Sequence, residues 1–121
     1  MPKKLLRILL ALIFTAGGVN HFLNPTLYIE MMPGYMPFPG FLVWLSGMLE
    51  VAGGIGLMVP ANRKQAAWLI IFLLVAFLPV HVHHIVSGGQ FSPTVKIPLW
   101  AAWVRICFQP VLIGWAWWVR K

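Results

Sequence analysis

Charge is what this chain has least of. Only 9% of its residues are charged, 2 of its 121 are acidic, and aspartate is absent altogether. With 60% of residues hydrophobic, a soluble domain of this length could not hide its apolar surface, so the soluble classes are excluded. Cysteine is nearly absent too. The lone Cys107 lies in an apolar segment; it allows no intrachain disulfide and no CxxC motif, and carries no information about redox compartment. The chain contains no flavin, haem or iron–sulfur motif, no convincing internal repeat, and no strict G-x-x-x-G to mark a dimer face.

Long apolar runs are what remain. Four of them, Leu5–Leu23, Phe41–Val59, Gln65–Ile85 and Ile97–Val119, are each long enough to cross a bilayer as a helix. The expected fold is an all-α membrane protein, a single four-transmembrane-helix bundle over residues 1–121. The N-terminal stretch has the basic head and apolar core of a signal peptide, but no A-x-A site follows and the run continues to Phe22. Kept as a helix, it completes an even number of spans.

The basic residues alternate between ends. Lys3, Lys4 and Arg7 precede the first span, Arg63 and Lys64 sit in the second turn, and Arg120 and Lys121 close the chain. The first loop has no Lys or Arg and the third has only Lys96. By the positive-inside rule both termini are cytoplasmic, in a bacterial-type inner membrane, and the first and third loops face outward. This sidedness accounts for the net charge of +7 without nucleic acid as a partner. Seven tryptophans, several near segment ends, suit interfacial anchoring.

The first loop has structure of its own. Asn24 can cap a helix with Pro25 at its first position, and Pro33-Gly34 stops it. The expected short interfacial helix, Pro25 to Met32, dips Tyr28, Met31, Met32, Tyr35 and Phe38 into the interface and leaves Glu30 in water. It serves as a plain connector or as a lid. In the third span, Pro79 removes a backbone hydrogen bond and is expected to kink or loosen the helix just before His81, Val82, His83 and His84.

Glu50 is the focus of the second span. A carboxylate at membrane depth costs at least ~2.5 kcal/mol, so it should face other helices and have a partner. Ser46, Gly47, Gly53 and Gly54, one turn away, let another backbone approach. At ~1.5 Å per residue, Arg105 of the fourth span lies at nearly the depth of Glu50, and a Glu50–Arg105 pair is expected, either as chemistry or as architecture alone. His21, His81 and His84 lie toward the same side, His81 and His84 sharing a helix face, with the amides of Asn20 and Gln109. His83 points elsewhere. Together these residues describe a polar pocket in the outer half of the bundle, under the first loop.

Three chemistries fit such a pocket: a quinone or similar lipophilic redox carrier, a metal held by His21, His81 and His84, and haem between His21 and a third-span histidine. For the quinone-like reading, His21, Glu50 and Arg105 carry the chemistry, and Asn20, His81, His84, Gln109 and Tyr28 hold the ligand. The alternative is a non-catalytic lipid-binding or membrane-assembly protein. No covalently bound cofactor is expected. The expected partners are membrane lipid, a soluble or membrane-bound redox partner, and a second copy of the chain.

The stretches GVNHFLNPTLYIEMMP, SGMLEVAGGIGLMVP and NRKQAAWLIIFLLVAFLP resemble the DoxX-like membrane proteins. The ordered combination is His-Phe-x-x-Pro, then Ser-Gly-x-x-Glu, then Gly-x-Gly-Leu-x-x-Pro, and the likeness covers Gly17 to His84. It implies a four-helix membrane bundle and a link to redox functions, among them a subunit of a quinone-linked oxidoreductase and handling of thiol or oxidative stress. His21, Pro25, Glu50 and Arg63 occupy motif positions, whereas the histidine cluster 81–84 is not general to that family.

Overall fold

A computed structural model describes residues 2–91 and 95–121. It is an all-α bundle of four spans, with helices α1 (Pro2–Leu23), α2 (Pro25–Met31), α3 (Pro39–Met58), α4 (Arg63–Ala76), α5 (Leu78–Val86) and α6 (Leu99–Trp118). Four stretches are long and apolar enough to cross a membrane: α1, α3, the run Pro60–Val86 that contains α4 and α5, and α6. Large apolar side chains such as Leu12, Trp44, Ile55, Phe72 and Phe108 face outward from every span, as a bilayer solvent allows.

The helix boundaries follow from local chemistry. Pro25 and Pro39 each stand in the first turn of their helices, where a missing N–H costs nothing. Asn24 precedes α2 but does not cap it; its side-chain amide donates to Asn20 Oδ1 at 2.6 Å instead. The third span breaks at Phe77, since Pro79 cannot continue the backbone ladder and opens α5 with its ring in the first turn. The span is therefore interrupted just before the histidines, where Pro79 is expected to kink or loosen it.

The helices run α1, α3, α4 and α6 around the bundle, with α2 crossing one end. The closest packing is α1 on α3. A Cβ added at Gly47 would lie 2.7 Å from His21 Cβ, so only glycine lets α1 come this near. The two ends of the bundle differ in character. Toward the termini lies a dry core of Leu10, Ala11, Phe14, Leu57, Ala67, Ile70, Leu74 and Ala116. There Arg7 Nε donates to Val119 O at 2.9 Å, its Nη2 donates to Lys121 O, and Arg63 Nε donates to Leu57 O at 3.1 Å. These guanidiniums satisfy carbonyls that helix C-termini leave open, and they complement the helix dipoles. Toward the first and third loops, the buried side chains are polar and surround a cavity.

Candidate functional site

The cavity has a volume of about 510 Å3. Its wall takes Gly17 and His21 from α1, Ser46 and Glu50 from α3, His81 from α5 and Arg105 from α6. Tyr28 and Met31 of α2, with Met32 and Met36 after it, close the loop end. Most of the remaining wall is aliphatic. A few polar groups converging on an apolar chamber is the usual form of a small-molecule site.

Glu50 is buried, and its Oε2 lies 2.9 Å from His21 Nε2. This is the one ion pair among the described residues. The other ring nitrogen, Nδ1, lies 3.1 Å from Val43 O and 3.0 Å from Ser46 Oγ. A carbonyl only accepts, so Nδ1 carries a hydrogen toward Val43 O, and Ser46, which itself donates to Val43 O at 3.0 Å, accepts alongside. With Nδ1–H so placed, the Nε2–Oε2 approach has room for one proton, as imidazolium–carboxylate or as imidazole–carboxylic acid. A histidine paired with a carboxylate in this way is chemically able to exchange a proton with a group in the cavity.

Arg105 has a different partner from the one expected. Its Nη1 donates to His84 Nδ1 at 2.8 Å, and its guanidinium stacks 4.9 Å from the centre of the Phe91 ring. His84 Nε2 donates to Met31 O at 2.9 Å. The His84 ring is fully buried with both nitrogens occupied, so it positions Arg105 and fastens α2 rather than meeting a ligand. The expected Glu50–Arg105 contact is replaced by two separate pairs facing one cavity. The physical reason is packing: α1 sits closest to α3 and delivers His21 to Glu50, while α6 packs on α4 and α5 and delivers Arg105 to His84.

The other expected site residues fall into place around these pairs. Gln109 is buried, and its side-chain amide bonds His81 Nε2. His81 Nδ1 and Gln109 Oε1 are buried without a partner among the described residues. Asn20 Nδ2 donates to Tyr28 Oη at 2.6 Å, and the Tyr28 ring lies 4.0 Å from the His21 ring. Asn20, Gln109 and His84 thus stand behind the wall, and Tyr28 and His81 are part of it. His83 points away, edge-on to Tyr35 at 6.3 Å.

Among the described residues, no three His, Cys, Asp or Glu side chains gather as metal ligands. In this arrangement both ring nitrogens of His21 and of His84 are engaged by protein groups. Sequence reasoning did not find Ser46 as a partner of His21, Phe91 as the platform under Arg105, or the backbone carbonyls of Val43 and Met31. Carbonyls carry no residue-type signal, and Phe91 lies beyond the third span.

A family model described as Domain of unknown function (DUF8561) matches residues 10–120. The chain belongs to that family. The match takes in the larger part of the first span, the other three spans whole, and every residue of the cavity wall. No curated protein and no solved structure matches the chain.

Proposed function

We propose that this DUF8561 protein binds a small lipophilic ligand with a polar, hydrogen-bond-accepting head, of the quinone type, and exchanges protons with it. The observation that carries this reading is the convergence of the His21–Glu50 pair and the Arg105 guanidinium on one apolar-walled cavity. Arg105 holds a head-group oxygen and offsets negative charge that develops on it. His21–Glu50 supplies the proton when that oxygen is reduced and takes it back on oxidation. Each two-electron reduction of a quinone consumes two protons, so the pair passes one and is reprotonated from the aqueous phase to pass the second, and oxidation returns both by the same route. The electrons come from a separate redox partner, because this chain has no motif for an electron-carrying cofactor. The likeness of residues 17–84 to the DoxX-like proteins supports a redox-linked role, in an inner membrane with both termini cytoplasmic.

The test uses the protein in lipid nanodiscs with a benzoquinone. Quinone should raise the thermal unfolding midpoint of the wild type. Arg105→Leu should weaken binding roughly tenfold to a hundredfold, the ~1.5–3 kcal/mol of a charged hydrogen bond. A second reading, non-catalytic lipid binding or membrane assembly, is favoured by the largely aliphatic and methionine wall. Co-purified phospholipid with no response to quinone would select it.

A further inference from the structure

The cavity is closed at two ends and open on one side. At the loop end α2 roofs it, tied down by His84 to Met31 O and by Asn20 to Tyr28. At the opposite end α3 and α4 touch: a Cβ added at Gly53 would lie 2.9 Å from Ile70 Cγ1, with no room for a ligand between. Between these closures both helices contribute side chains to the cavity wall. Leu42, Leu45 and Leu49 of α3 line the cavity on one side, and Phe72, Ala76 and Phe77 line it on the other.

The lips of this gap face the bilayer. Phe72 is 63% exposed, and Ala76 is exposed as well. Leu45 and Leu49 are half-buried, although both lie within a span. On α3 these leucines border the outward face that carries Phe41, Trp44 and Met48. The polar groups, His21 and Glu50, stand at the back of the chamber, on and against α1. The chamber is therefore polar inside and apolar at a mouth that opens at membrane depth.

Volume then decides what can occupy it. The cavity volume of about 510 Å3 lies within the ~300–1,000 Å3 usual for small-molecule sites. That is enough for a head group and a short length of tail. A long-tailed molecule has to leave most of its tail outside, and the slot is the apolar way out.

Resting on the head-group reading above, we infer that the ligand is a membrane-resident amphiphile that enters sideways from the hydrocarbon, between α3 and α4, and keeps its tail in the Leu45–Phe72 slot. Water-borne solutes are not its substrates, since α2 covers the aqueous approach. The slot selects for an apolar tail and the chamber for the head.

A photoreactive long-tailed benzoquinone with a diazirine at mid-tail tests this on the wild-type protein in nanodiscs, with adducts mapped by mass spectrometry. Adducts on Leu45, Leu49, Phe72 or Ala76, displaced by excess short-tailed quinone, are the expected result. Displaceable adducts on Tyr28–Met36 would overturn the inference while leaving the head-group reading intact. Adducts that short-tailed quinone does not displace would mean no head-group site, and the reading itself would fall. As a second arm, Ala76→Trp should weaken long-tailed binding at least tenfold and leave short-tailed binding within twofold. Equal effects on both ligands, or none on either, would place Ala76 outside any tail path.

Discussion

At Glu50, the proposed function turns on one proton held with His21. The neighbouring imidazole is pinned by Val43 O and Ser46, so it cannot turn away when the proton moves. Glu50→Gln keeps the shape and an acceptor for His21, and should cost the fold only about 1 kcal/mol. Quinone-linked proton exchange should be lost, as measured by proton uptake on quinone reduction in nanodiscs. His84→Ala is expected to behave in the opposite way. It leaves Arg105 and Met31 O unpaired and empties a fully buried site, for a loss of about 2–4 kcal/mol in unfolding stability. The sequence made Glu50 legible as the polar centre, because an acid in an apolar run must be enclosed. It did not make its partner legible. Rise per residue gives the height of Arg105 but not the direction it faces, and that direction depends on which helix lies nearest.

Among the elements, the spans and the short helix after Asn24-Pro25 were readable from apolar length and proline placement. The order of packing was not. It rests on small residues whose effect depends on what they meet, and Gly47 shows this best. Gly47→Ala should push α1 from α3, because the new methyl would stand 2.7 Å from His21 Cβ. Overpacking of this kind costs about 1–3 kcal/mol. It should also separate His21 from Glu50, so that unfolding stability and quinone binding fall together. An unchanged melting transition in detergent, with binding intact, would show that the helix contact tolerates a side chain.

For the whole molecule, seven of the nine basic residues lie at the end opposite the cavity. In a Cys107→Ser background, cysteine placed at Gly34 or Gly88 should react with a membrane-impermeant maleimide in intact cells, while cysteine at Lys4 or Lys64 should react only after permeabilisation. The reverse pattern would invert the topology and put the cavity toward the cytoplasm. The scarcity of acids also makes the central claim open to direct measurement. Glu50 is one of only two acidic side chains in the chain, so its carboxyl signal is nearly isolated in an infrared difference spectrum. As the His21–Glu50 pair gives up its proton, quinone reduction in nanodiscs should change the carboxyl or carboxylate bands in the wild type and in Glu30→Gln, and produce no such change in Glu50→Gln. A change that survives in Glu50→Gln, or a wild type that shows none, would contradict the account.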